Sequence, residues 1–179
     1  QIIATTGFHK SSFYDQTHFI YRYSVDEISQ LLINDLVEGI DLYDYCGPLI
    51  KRSKAKAGVI KAAVDYQTIT DVEKKVLYSA AKASVTTGFP ISLHLEKGTM
   101  ASEVVDILVG SGVSPNNIIL GHIDRNPDLF YHTNLARKGV YLIYDGPGRV
   151  KYYSDEIIAR LIEKMVEKGW EKQILIGAD

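Results

Sequence analysis

Short apolar runs alternate with stretches of helical periodicity along all 179 residues of this chain. That alternation sharply limits the folds open to it. The runs Ile2–Thr6, Gly58–Val64, Pro90–Leu95, Asn117–Ile123, Val140–Tyr144 and Ile174–Ile176 are apolar on both faces, as parallel strands covered by helices should be. Between them the apolar residues recur at helical spacing. Ser24 with Glu27 three residues on reads as a capping box for a helix through Val25, Ile28, Leu32 and Leu36. Further helices are expected from about Thr70 to Ser84, Ala101 to Val109, Asp128 to Lys138 and Ser154 to Lys168, the last three each followed by glycine. Six strands and five intervening helices predict an α/β fold, either a doubly wound sheet or a barrel. The segment TTGFHKSS after the first run does not match the Gly-rich dinucleotide fingerprint, which argues against a Rossmann sheet. No linker or low-complexity segment interrupts the pattern, so residues 1–179 read as a single domain.

Composition narrows the function classes. A net charge of −2 gives no sign of a nucleic-acid partner or of an acidic membrane surface. The one cysteine, Cys46, allows no internal disulfide, and a reducing, cytoplasmic compartment is the simpler expectation. No apolar stretch approaches the roughly 20 residues of a membrane span. The chain is short for a full (β/α)8 barrel, which takes about 250 residues. It opens in a strand-like run without an initiator methionine and stops at the tip of another, so the sequence is expected to be incomplete at both ends.

Four residues carry the chemistry: Lys61, His94, His122 and Asp179 close the runs GVIK, ISLH, IILGH and ILIGAD. In a (β/α) barrel, side chains at the carboxyl ends of strands converge on one mouth. Two histidines at matching positions on consecutive strands suit zinc, and also manganese, cobalt or iron. Asp179 can ligate a metal and accept a proton from a bound water. Lys61 becomes a ligand if carbamylated, since an amine beside two divalent ions is strongly disfavoured as a cation. The plainer alternatives stay open on the residues alone: a lysine snorkelling to solvent, and core histidines held by hydrogen bonds. His9, His18 and His132 lie in loops or a helix and read as solvated or substrate-facing rather than as ligands.

The second informative stretch is DGPGRVKYY, from Asp145 to Tyr153. Its glycines let backbone approach a ligand, and Arg149, Lys151, Tyr152 and Tyr153 could hold a phosphate or carboxylate. A surface turn with incidental basic residues is the alternative.

Taken together, ATTGFH, KAGVIKAA, PISLHLEKG, ILGHIDRNPD, DGPGRVKYY and ILIGAD resemble the phosphotriesterase-like lactonases of the amidohydrolase superfamily, in order and spacing over the whole chain. The resemblance implies a (β/α)8 TIM barrel with two divalent metal ions, of which the present six strands correspond to the third through the eighth. It implies Lys61 as the carbamylated bridging ligand, His94 and His122 as ligands of the more exposed metal, and Asp179 as ligand of the more buried one and proton carrier. The family's His-x-His belongs to the absent first strand. The resemblance further implies lactone opening by a metal-bridging hydroxide in the longer parent protein, with Lys61 and Asp179 as its catalytic groups. The loop at Asp145–Tyr153 looks like the branch acting on phosphorylated sugar lactones, with Lys151, Arg149, Tyr152 and His9 expected at the substrate. Phosphotriester hydrolysis by the same centre, and a non-catalytic metal- or sugar-phosphate-binding barrel, are the rival readings. Neither nucleic acid nor a membrane is expected as a partner, and a homo-oligomer is compatible with all three.

Overall fold

The computed structural model describes residues 2–149 and 151–179. Six parallel strands form one sheet in the order in which they occur along the chain. They are β1 (Ala4–Gly7), β2 (Ala57–Val64), β3 (Ile91–Leu95), β4 (Ile118–Gly121), β5 (Tyr141–Tyr144) and β6 (Ile174–Ile176). A doubly wound sheet reverses its strand order at a switch point. A sequential order does not, and right-handed crossovers of one hand then place every helix on the same side. This is the wall of a (β/α) barrel.

The helices follow from their caps and apolar faces. A short α1 (Phe19–Arg22) leads into α2 (Val25–Val37), and α3 (Asp71–Thr87), α4 (Ala101–Gly110), α5 (Leu129–Arg137) and α6 (Asp155–Glu167) complete the set. Ser24 and Glu27 form the expected capping box on α2, and Thr70 and Glu73 form a second on α3. Each satisfies two amide donors that the helix itself leaves without partners. Apolar side chains from helices and strands, among them Ile28, Leu77, Leu93, Leu108, Leu120 and Leu142, pack into one buried cluster.

Three element bounds and the place of Lys61 within β2 depart from expectation. Helix α1 lies inside a stretch read as loop; the His18 ring caps it by accepting a hydrogen bond from the Ile20 amide. Helix α3 runs three residues past Ser84, until Gly88 turns left-handed at φ 77°. Strand β2 continues through Val64, so Lys61 sits in its second half and not at its tip. Strand β4 stops at Gly121, and His122 lies just beyond it in a left-handed turn at φ 61°.

Strands β1 and β6 are each paired on one side only among the described residues. Ile2 before β1 is 97% exposed, Ile3 is 67% exposed, and Ile176 at the other edge is 69% exposed. Unpaired apolar edges template association. Residues 1–179 produced alone should therefore self-associate, with a sedimentation profile that shifts to larger species as concentration rises. A monodisperse monomer with a cooperative melt would show that the edges are protected by other means.

Candidate active site

The sheet register decides which side chains meet. Gly7 pairs with Lys61, Lys61 with Ser92, and His94 with Gly121. Two glycines permit this. A Cβ on Gly7, which has φ 119°, would stand 2.0 Å from the Lys61 carbonyl oxygen, and one on Gly121 would stand 2.5 Å from the Leu93 carbonyl oxygen. Only glycine lets the backbones approach so closely. Beyond β6, the Gly177 amide donates to the Tyr144 carbonyl at 3.1 Å and the Asp179 amide to the Asp145 carbonyl at 3.3 Å. Asp179 is thereby set beside Asp145.

Lys61, His94, His122 and Asp179 line one cavity of about 380 Å³ at the carboxyl ends of the strands, together with His9 and Asp145. Four residues spread over more than a hundred positions of sequence are thus brought together. The ring centroids of His9 and His94 are 4.6 Å apart, as are those of His94 and His122. An Asp145 carboxylate oxygen lies 2.9 Å from His122 Nδ1. A carboxylate can only accept, so Nδ1 carries the hydrogen and Nε2 keeps its lone pair. Glu96 Oε2 lies 3.0 Å from His94 Nε2, and the same logic leaves the lone pair on His94 Nδ1.

Burial sets the protonation states. It holds the His94 imidazole down at about 4, and it also lowers the Lys61 amine, against the pull of Asp145 and Asp179. The Lys10 ammonium is the main cause that draws the Glu96 carboxyl down to about 2, with His94 adding to it. Burial pushes the Asp179 carboxyl up, but His122, Arg125 and Arg149 outweigh it and hold that carboxyl below its ordinary value.

The loop residues are placed differently. Arg149, Lys151 and Tyr152 stand outside the cavity lining. Arg149 reaches the site through Asp179, whose Oδ2 forms an ion pair with Arg149 Nη1 at 2.7 Å and accepts a hydrogen bond from Arg125 Nη2 at 2.5 Å. Lys151 Nζ lies 5.2 Å from the Tyr152 ring centroid, and the Arg125 guanidinium lies 4.6 Å from the same centroid. The basic loop and the acidic end of β6 are therefore joined by Arg125.

Sequence reasoning missed Arg125, Asp145, Glu96 and Lys10 as parts of the site. Glu96 was the most accessible of them, since it follows His94 by two residues, the period that returns a strand to the same face. Asp145 follows directly on β5, as His122 follows directly on β4. Nothing in the local sequence marks Arg125 or Lys10, whose partners are distant in the chain.

His132 corrects another expectation. It is fully buried, neither solvated nor facing a substrate. Its Nδ1 lies 2.8 Å from the Tyr144 hydroxyl, and its Nε2 lies 3.0 Å from the Ile123 carbonyl and 2.9 Å from that of Asn126. Carbonyls only accept, so Nε2 donates and Nδ1 accepts from the tyrosine. The ring bolts the turn after His122 to the residue before Asp145.

Residues that could hold a metal are present in part. Among the described residues no three His, Cys, Asp or Glu side chains form a metal-holding group by themselves. The donors gathered here are two imidazoles and one carboxylate, with the half-buried amine of Lys61 on the same cavity wall. That set fits a share of a two-metal centre once Lys61 is carbamylated.

A profile of the phosphotriesterase family matches residues 1–179. The phospho-furanose lactonase of Mycoplasmopsis synoviae is 43% identical over 180 residues, covering 99% of this chain and 51% of the relative. That of Mycoplasmopsis agalactiae is 45% identical over 160 residues, covering 88% of this chain and 45% of the relative. The crystal structure of an amidohydrolase from Mycoplasma synoviae superposes with a TM-score of 0.96 at 44% identity, over 99% of this chain and 51% of that one. The chain belongs to the phosphotriesterase family. It spans about half the length of the curated relatives it matches. No helix among the described residues is long and apolar enough to cross a membrane.

Burial lowers the His132 imidazole below its ordinary value of 6.5. The unfolded chain then binds a proton that the folded chain refuses, and stability falls as pH drops below about 6.5. Urea melts at pH 7 and pH 5 should show a larger loss for the unaltered protein than for His132→Gln, which cannot titrate. At pH 7 the same variant should be less stable by about 1–3 kcal/mol, the cost of buried polar groups left without partners.

Proposed function

We propose that the protein to which this chain belongs is a metal-dependent lactonase acting on a phosphorylated sugar lactone. The observation that carries the reading is the meeting of Lys61, His94, His122 and Asp179 around one cavity at the carboxyl ends of the strands. Family membership and the names of the two mycoplasmal relatives support the reaction class.

His94, His122, Lys61 and Asp179 would hold two divalent ions, and nitrogen with oxygen donors favours zinc over manganese, cobalt or iron. When bound, such ions polarise a carbonyl oxygen and make water nucleophilic near neutral pH. The chain's own residues do the rest. Lys61 is depressed toward the neutral amine by burial, and the neutral amine is the form that adds carbon dioxide. Asp145 keeps His122 in a single tautomer. Asp179 is held toward the ionised form, and Oδ1, the oxygen that Arg125 and Arg149 leave open, would take a proton and return it to the alkoxide released as the ring opens. His9 lies against His94 at the cavity wall, where it would meet the substrate.

Arg125 and Arg149 on Asp179, with Lys151 over the Tyr152 ring that Arg125 also covers, supply the positive charge that a phosphorylated substrate requires. This cluster favours the phosphorylated lactone over a neutral phosphotriester, which offers no anion for three cations. A single cysteine and a small net charge accord with a cytoplasmic enzyme of soluble sugars.

The test uses the full-length parent protein. It should open a phosphorylated furanose lactone, and lose that activity on chelation and regain it on adding zinc. Lys151→Ala should then cost on the order of 1.5–3 kcal/mol in kcat/KM on the phosphorylated lactone, the strength of a hydrogen bond to a charged group. The unphosphorylated lactone should lose little. Equal losses on both substrates would show that Lys151 supports the loop and not the phosphate.

A further inference from the structure

The polar-aromatic segment after β1 contributes one residue, Lys10, that reaches two of the site imidazoles, His9 directly and His94 through Glu96, and the reaction described above gives it no part. Lys10 Nζ lies 2.7 Å from Glu96 Oε2 and 3.4 Å from Asp65 Oδ1. The same Glu96 oxygen accepts from His94 Nε2 at 3.0 Å. The backbone amide of Lys10 donates to His9 Nδ1 at 2.8 Å. The Lys10 side chain is 13% exposed and that of Glu96 is 22% exposed, so water competes weakly for either.

We propose that Glu96, clamped by Lys10, is the positioning residue for His94: it fixes the ring's rotation and its tautomer, leaving Nδ1 as the nitrogen able to bind metal. The inference rests on the two-metal reading of the site. Three features of the structure lead to it. A carboxylate has no hydrogen to give, so the imidazole must donate through Nε2. A lone carboxylate beside the buried ring could turn to solvent, but the ammonium holds the same oxygen that the ring uses. Finally, Glu96 sits at the start of a tight 3-10 turn, Glu96–Gly98, in which Lys97 is left-handed at φ 52°, so its backbone is fixed directly after β3. Lys10 couples the arrangement to β1: its amide sets the His9 tautomer with Nε2 protonated, while its side chain sets that of His94. One residue outside the metal set thus orders two rings whose centroids are 4.6 Å apart.

Outer partners of metal-binding histidines typically change affinity by about 10–100-fold when removed. The full-length protein is stripped of metal, and zinc affinity is measured by chelator competition for the unaltered chain, Glu96→Ala, Glu96→Gln and Lys10→Met. Nitrogen-15 shifts of His94 are recorded on the metal-free forms, together with their melting temperatures. Glu96→Ala should weaken zinc binding at least tenfold and give His94 shifts averaged over two tautomers, with the metal-free melt little changed. Glu96→Gln keeps an accepting oxygen and should restore most of the affinity and the single tautomer. Lys10→Met should fall between the two. A single His94 tautomer and unaltered zinc affinity in Glu96→Ala would overturn the proposal. Should that variant fail to fold, unaltered affinity in Lys10→Met together with a single tautomer in Glu96→Gln and Lys10→Met alike would overturn the clamp. Failure of the unaltered protein to bind zinc would instead remove the two-metal reading, and the tautomer measurement would still decide what Glu96 does.

Discussion

His94, His122 and Asp145 are buried in the cavity wall and Lys61 is half-buried beside them, and each must find its compensation inside the protein. That requirement organises the site. Burying an ion without a partner costs several kcal/mol, so buried charges are paired or neutralised. His122 is paired with Asp145, His94 with Glu96 and Lys10, and Asp179 with Arg125 and Arg149. Among the described residues Lys61 has no ion-pair contact of this kind, and burial drives it toward the uncharged amine. The unusual group is therefore the lysine, and it is the one whose proposed covalent change would turn a poorly tolerated cation into an anion.

The sheet makes these pairings geometrically available. A sequential parallel order brings the carboxyl ends of all six strands to one side. Strand register then sets the depth of each group. Lys61 lies below the strand tip and pairs with Ser92, while His94 is two steps higher at Ala63 and His122 sits past the end of β4. The left-handed turn at His122 is an uncommon conformation for a residue with a Cβ. It is sustained from behind by His132, which ties the turn to Tyr144 through a fully buried ring. The cost of that turn is thus offset by a buried network directly behind the cavity lining.

The barrel wall was legible because it depends on periodicity, which sequence records directly. The runs that became β2, β3 and β5 were placed within a residue or two of their ends, and the capping box at Ser24 and Glu27 was read outright. Boundaries failed where backbone conformation overrode hydrophobic pattern. An apolar Ile123 extends the run of β4 on paper, yet the chain turns left-handed one residue earlier. The four ligand candidates were legible because each ends an apolar run with a group that does not belong in one. Their supports were not. Lys10 meets Glu96 across 86 positions, and Arg125 meets Asp179 across 54. A polar residue in a polar segment carries no local sign of so distant a partner. His132 failed for a related reason: on the page it is one polar residue in an amphipathic helix, and only packing shows that it faces inward.

His94 and His122, the two histidines proposed as ligands, are held by opposite ring nitrogens, and the contrast follows from where each carboxylate originates. Glu96 belongs to the turn just beyond His94 on the same strand and reaches the far nitrogen, Nε2. Asp145 comes from the neighbouring strand and meets the near nitrogen, Nδ1. The lone pairs left over are Nδ1 on one ring and Nε2 on the other, so the two rings offer donor atoms at different distances from their own backbones. His94 is seated within its strand and His122 beyond the end of its strand. A short reach from one and a long reach from the other allow two rings anchored at unequal heights to serve one site. The tautomers are therefore part of how the sheet's stagger is accommodated, and the acids that set them belong to the architecture of the site as much as the rings do.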